Sequence, residues 1–178
     1  IDWETIARGM IDFVTPFELP EGFWFDTSKN SIFYLRANAT GTLYIPSGNT
    51  TVGSATFQGS GFVNVIVPNT VTTLNSRSFS DMSKLEHITL PNTITKFPGS
   101  VFNGCVKLQD IVIPNSVTEL DIYVFNNCGT LKTLTIPNGV TKIGDRAFNL
   151  CGGLLEIILE PTAPPTLGGA YVFNGCTN

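Results

Sequence analysis

Hydrophobic and polar positions along this chain recur with a long fixed period. An aliphatic residue precedes proline at Ile45-Pro46, Val67-Pro68, Leu90-Pro91, Ile113-Pro114 and Ile136-Pro137, so the prolines fall at intervals of 22, 23, 23 and 23 residues. A phenylalanine follows each proline by eleven residues, at Phe57, Phe79, Phe102, Phe125 and Phe148, and Phe173 extends the column with a slightly longer step. Cys105, Cys128, Cys151 and Cys176 each lie three residues after a phenylalanine, and Leu85, Leu108, Leu131 and Leu154 form a fourth column. Columns in register over a long period predict a stack of similar structural units.

Each unit divides into three parts. Ile88-Thr89-Leu90 alternates in, out, in and predicts a short strand whose outward residue is β-branched in every copy: Ile66, Thr89, Val112, Thr135 and Ile158. Proline, which lacks an N–H for the ladder, ends it. Ile94 to Phe97 places apolar residues three apart around Thr95, a second short extended or turning piece, so that Thr72, Thr95, Thr118 and Thr141 become cross-strand neighbours. Phe102 to Cys105 has i, i+3 spacing and predicts a helical turn on the opposite side. A period of this length with leucine-type columns is that of a leucine-rich-repeat solenoid. The expected class is α/β: a right-handed solenoid of about 23-residue repeats whose short strands stack into a curved parallel sheet.

No unit buries its own apolar edge, so both ends need covering. Asp2 fits a helix N-cap, with Trp3, Ile6, Ala7 and Met10 forming an apolar stripe behind it, which predicts an N-terminal helical cap. Phe17 to Pro20 reads as a degenerate strand-proline element, and Ile32 to Leu35 and Thr42 to Ile45 as further strands. The expected organisation is one repeat domain over 1–178, with cap and degenerate repeats over 1–45, regular repeats over 46–160, and an irregular, truncated terminal repeat over 161–178.

Composition narrows the function. Hydrophobic residues make up 42% of the 178, but charged residues only 13%, where about 25% is usual. Ten Lys and Arg against fourteen Asp and Glu, a net charge of -4, argue against nucleic acid as a partner. No stretch reaches the roughly 18 consecutive apolar residues of a spanning helix, so no direct membrane insertion by this chain is expected. A monomer is expected.

Ile113-Pro114-Asn115-Ser116-Val117-Thr118, then Leu120, Phe125, Cys128, Leu131 and Ile136-Pro137, resembles the BspA-like leucine-rich repeat, also called the Treponema pallidum type. The match is most specific from Leu85 to Cys151, and Pro161 to Cys176 resembles an irregular terminal repeat. The asparagine slot usual in leucine-rich repeats holds Thr93, Ser116 and Gly139, so no asparagine ladder is expected there. Ser60 (or Gly59) and Met82 stand where later repeats have cysteine. The resemblance implies a bacterial cell-surface or secreted protein with adhesin-like binding, and it brings no catalytic residues.

Each candidate for chemistry has a plainer reading. The cysteine spacings of 23, 23 and 25 follow the repeat, and side chains about 4.8 Å apart sit too far from one another for the disulfide Cβ separation of about 3.8 Å. Four free thiols are expected; Cys151 to Cys176, where the register shifts, is the one pair to consider for a bridge. A linear ladder does not converge on zinc, so no metal and no cofactor are expected. His87, the only histidine, reads as a solvated residue with Asp110 one rung away, and no nucleophile motif accompanies it. Trp24 and Tyr34 belong to an aromatic group that mainly fills the cap and offers a secondary patch for a sugar or partner. Asn38-Ala39-Thr40 and Asn49-Thr50-Thr51 fit the glycosylation sequon.

The strand face is the leading candidate. Two outward columns change from rung to rung while the core columns hold still: Glu86, Gln109, Lys132, Leu155 and His87, Asp110, Thr133, Glu156. Such positions line the extended binding surfaces of solenoids. The expected function is non-catalytic recognition of a host protein or glycan along this face, with Glu86, His87, Gln109, Asp110, Lys132, Thr133 and Glu156 as binding residues. The alternative is a structural spacer or display stalk for another domain of a larger surface protein.

Overall fold

A computed structural model gives the architecture. It describes residues 40–45 and 47–176, together with the backbone of strands within 17–34. Three strands, β1 (Phe17–Leu19), β2 (Phe23–Asp26) and β3 (Ser31–Tyr34), form an antiparallel meander. Twelve short strands then alternate between two ladders. They are β4 (Thr42–Tyr44), β5 (Thr51–Val52), β6 (Asn64–Ile66), β7 (Thr73–Leu74), β8 (His87–Thr89), β9 (Lys96–Phe97), β10 (Asp110–Ile111), β11 (Glu119–Leu120), β12 (Thr133–Ile136), β13 (Lys142–Ile143), β14 (Glu156–Leu159) and β15 (Thr166–Leu167). In the first ladder β4-β6-β8-β10 form one parallel sheet and β12 pairs with β14; in the second, β9-β11-β13-β15 form a parallel sheet and β5 pairs with β7. The registers are those of the repeat: Asp110 lies beside His87, Thr133 beside Glu156, and Glu119 between Lys96 and Lys142. The chain is thus a parallel β-solenoid of about five turns.

Sequence periodicity places the core. Phe57, Phe79, Phe102, Phe125, Phe148 and Phe173 stack with ring centroids 5.5–5.7 Å apart and planes within 14°. Phe97 meets Phe102 and Phe125 edge-on. All but Phe173 are fully buried. Hydrogen bonding is less complete in the early turns, where the hydroxyls of Ser60 and Ser78 are buried without a partner among the described residues. Val101 and Val124 follow Ser78 in its column, and Cys105 and Cys128 follow Ser60 in its own.

The helical expectations need correction. No helix occurs among the described residues, which are all-β, so the α part of the α/β class is not seen. The cap expected from Asp2 to Met10 lies outside the described residues. The segment from Phe102 to Cys105 is a run of turns because each unit carries two left-handed residues four apart: Ser100 and Gly104, Tyr123 and Asn127, Arg146 and Leu150. Left-handed φ angles cannot continue a right-handed helix. Instead the backbone N–H groups of this side reach forward to the next turn, as in Phe102 to Val124 (3.0 Å) and Gly104 to Asn126 (2.8 Å). The strand side bonds mostly the other way, as in Gln109 to Glu86 (3.1 Å), with Ile45 to Ile66 and Val67 to Thr89 (both 3.0 Å) running forward. Each turn is therefore tied to its neighbours on opposite sides.

Two polar ladders complete the interior. The thiols of Cys105, Cys128, Cys151 and Cys176 donate to the carbonyls of Phe79, Phe102, Phe125 and Phe148 at 3.0–3.3 Å. All four are free, and only Cys176 is partly exposed. Loss of water around them pushes Cys105 and Cys151 up to about 12 and raises Cys128 and Cys176 as well. At pH 8 the native protein should therefore show no reaction of Cys105, Cys128 or Cys151 with a disulfide reagent, since the thiolate is the reactive form. Cys176 should react first, and the denatured, unreduced chain should return four thiols; a smaller number would mean a bridge. Beside this ladder runs an asparagine ladder at a position that sequence reasoning did not consider, while the slot it did consider carries none, as expected. Asn126, Asn149 and Asn174 donate their side-chain amides to the side-chain oxygens of Asn103, Asn126 and Asn149 at 2.5–2.7 Å. Thr93 and Ser116, which occupy the slot first considered, instead donate to Val71 and Ile94 carbonyls, both at 2.5 Å.

Candidate functional site

The first ladder presents the residues expected to bind. Strand alternation buries Ile88, Ile111 and Leu134 and turns His87, Asp110, Thr133 and Glu156 outward, while Gln109, Lys132 and Leu155 are exposed just before the strands and Glu86 is half-buried. Parallel pairing brings these residues together rung by rung. His87 Nδ1 lies 3.2 Å from Asp110 Oδ1, and the Gln109 amide donates to Glu86 Oε2 at 3.2 Å. A third outward column holds Ile66, Thr89, Val112, Thr135 and Ile158; Val112 is 82% exposed. Leu155 is exposed at the end of the first column.

Trp24 and Tyr34 are register partners in β2 and β3, but their side chains lie outside the described residues. Asn49 of the second sequon is fully buried, which closes it to a glycosylating enzyme in the folded chain. Asn38 lies outside the described residues.

The second ladder carries charges that sequence reasoning did not single out. Glu119 sits between Lys142 (2.6 Å) and Lys96 (2.9 Å), and Lys96 also reaches Asp121 at 3.1 Å. Hydrogen bonds from Lys142 and then Lys96 hold the Glu119 carboxyl below its ordinary range. The signal was legible as alternating Lys96, Glu119 and Lys142 at 23-residue intervals. Arg146, also missed, stacks between the rings of Tyr123 (5.4 Å) and Tyr171 (5.0 Å) and donates to the Tyr123 hydroxyl. These groups satisfy one another.

The first ladder differs in this respect. Among the described residues Glu86, Asp110 and Glu156 have no lysine or arginine within 4.0 Å, and Lys132 has no carboxylate within that distance. Two ladders of one solenoid thus have opposite electrostatic character: the second is internally neutralised, the first is left with its carboxylates facing solvent. No group of three or more His, Cys, Asp or Glu residues able to hold a metal occurs among the described residues.

Known proteins place this architecture. A model of the BspA type leucine rich repeat region matches residues 27–155 in six copies. A leucine rich cell surface protein from Faecalibacterium prausnitzii is 27% identical with a TM-score of 0.77 over 85% of this chain. A leucine-rich repeat protein from Bacteroides ovatus is 26% identical with a TM-score of 0.73 over 90% of it. The chain covers 41% and 45% of those two proteins, less than half of each. The leucine rich repeat protein of T. pallidum, 23% identical with a TM-score of 0.65 over 82% of this chain and 84% of its own length, shares the fold. No curated protein matches the chain. Six consecutive family repeats, with their registers reproduced turn by turn in the solenoid, place this chain in the BspA-type leucine-rich-repeat family.

Proposed function

We propose that this chain is a non-catalytic binding module of a bacterial cell-surface or secreted protein, acting as an adhesin-like element that docks a ligand along the first strand ladder. The observation that carries this reading is the contrast between the ladders: charges on the second pair with one another, while on the first Glu86, Asp110 and Glu156 meet no lysine or arginine, Lys132 meets no carboxylate, and Asp110 has only the His87 ring beside it among the described residues. Solvated charges aligned at rung spacing supply several weak contacts at once, and several such contacts over an extended surface give recognition without a pocket. The cell-surface protein of Faecalibacterium prausnitzii, which shares the solenoid, supports the surface location. The solenoid of this family is typically a protein-interaction scaffold, which supports a non-catalytic role.

A screen of immobilised matrix proteins and glycans tests the reading. Joint replacement of Gln109, Asp110 and Lys132 by alanine should abolish capture and leave the melting temperature unchanged, because all three side chains are exposed. Full retention of capture by the triple variant would sink the assignment of this face. Capture by no immobilised species, together with unchanged attachment of the parent protein after deletion of the repeats, would favour a display stalk.

A further inference from the structure

The outward columns of the first ladder also indicate what class of ligand they suit. Resting on the reading of this ladder as the binding face, we propose that it takes a polypeptide segment whose aliphatic side chains lie along Ile66, Val112 and Ile158 and whose lysine or arginine residues pair with Glu86, Asp110 and Glu156. Ile66 is 37%, Val112 82% and Ile158 47% exposed; Ile66 and Ile158 lie on strands and Val112 directly follows β10, in a column where Thr89 and Thr135 supply a hydroxyl. These aliphatic residues recur on alternate rungs, about 9.6 Å apart at the ordinary strand spacing. The repeat distance of one face of an extended peptide is about 6.7 Å, whereas side chains seven apart on a helix recur at about 10.5 Å. An amphipathic helix lying along the stacking axis therefore matches the stripe more closely than a strand does.

Charge selects the flanks. Glu86 bonds only the neutral Gln109 amide and Asp110 only the His87 ring, and neither these carboxylates nor Glu156 has a lysine or arginine within 4.0 Å among the described residues. Lys132 is the single lysine or arginine in the two variable columns. The two variable columns thus set three carboxylates against one lysine beside the aliphatic stripe, with Lys84 and Lys107 exposed two residues before Glu86 and Gln109, and the carboxylates complement a helix with an apolar stripe and a basic border. Among the described residues of the first ladder the outward columns offer a ring only at Tyr44, the half-buried register partner of Ile66, and at His87, so a neutral glycan finds few rings to stack upon.

Panning a phage-displayed random 16-residue peptide library on the immobilised full chain, with Val112→Asn as counter-selection, tests the proposal. Enriched peptides should carry Leu, Ile, Val or Met at helical spacing with flanking Lys or Arg. A synthetic copy of the most enriched peptide should bind Val112→Asn at least about tenfold more weakly. Asp110→Asn combined with Glu156→Gln should weaken it about threefold at low salt and flatten its salt dependence. Circular dichroism melts of both variants should match the parent, since the replaced side chains are exposed. Enrichment of acidic peptides, or no enrichment above the counter-selection, overturns the proposal. If a glycan is captured instead and the Gln109, Asp110 and Lys132 triple variant loses it, this ligand class is wrong while the strand face stands. If enriched peptides bind both Val112→Asn and the triple variant as well as they bind the parent, both readings fall.

Discussion

Replacing Phe125 with alanine is expected to lower the melting temperature by roughly 10 °C, corresponding to about 3–5 kcal/mol for an aromatic deleted from a packed core in a chain of this size. Phe125 is fully buried, stacks on Phe102 at 5.6 Å and on Phe148 at 5.6 Å, and meets the edge of Phe97 at 6.1 Å. Removing it takes a ring from the middle of a column, and the turns on either side lose their aromatic contact together. In a solenoid stability is close to a sum over neighbouring interfaces, so a central break weakens two of them. Phe173, at the end of the column, touches only Phe148 among the described rings and is 41% exposed. Phe173→Ala should therefore cost less than half as much. Thermal melts giving equal losses for the two variants would show that the stack is not the source of cohesion.

The second large effect comes from a glycine with an ordinary backbone conformation. A Cβ added at Gly144 would lie 2.5 Å from the Ile122 nitrogen and 2.6 Å from the Asp121 carbonyl carbon, both in the backbone of the preceding turn. Backbone held by ladder bonds cannot give way as a flexible side chain does, so Gly144→Ala should cost about 3 kcal/mol or more despite the entropy advantage of alanine. The equivalent positions Pro98 and Asp121 in the earlier turns carry side chains, whereas Gly168 in the next turn repeats the close approach, its added Cβ lying 2.9 Å from the Asp145 nitrogen. Gly129 supplies the control: nothing lies within 4 Å of its added Cβ, and its φ is not left-handed. Gly129→Ala should be neutral or stabilising by up to about 1 kcal/mol. Equal chemical-denaturation midpoints for Gly144→Ala and the parent would contradict the tight approach.

The core was legible because most of its columns keep one chemical type from turn to turn. The Phe57 to Phe173 column, the leucines and the strand-ending prolines recur at one period, and a period of apolar residues has few physical interpretations. The cysteines were read correctly as free from spacing alone. The thiol bonds to Phe79, Phe102, Phe125 and Phe148 were not legible, because a residue's spacing says nothing of which carbonyl it meets. The asparagine ladder was visible in sequence as Asn103, Asn126, Asn149 and Asn174, each one residue after a phenylalanine. It was missed because its role appears only when the turn conformation aligns amide above amide. The i, i+3 spacing of Phe102 and Cys105 suggested a helical turn, since apolar spacing alone does not report the sign of φ; Tyr123, Arg146 and Leu150 adopt left-handed angles that their side chains do not favour. In the candidate site, the His87 and Asp110 neighbourhood followed from register, as did the outward columns. The neutralisation of Glu119 by Lys96 and Lys142 needed the second strand to be placed first, because its charges become neighbours only once β9, β11 and β13 pair.

Carbodiimide labelling of carboxylates, read by mass spectrometry with and without a captured ligand, tests the central claim most directly, because the two ladders report separately within one molecule. The account predicts that ligand protects Asp110 and Glu156 while labelling of Glu119 and Asp121, held in the ion pairs of the second ladder, does not change. Protection of Glu119 and Asp121 with unchanged labelling at Asp110 and Glu156 would contradict it.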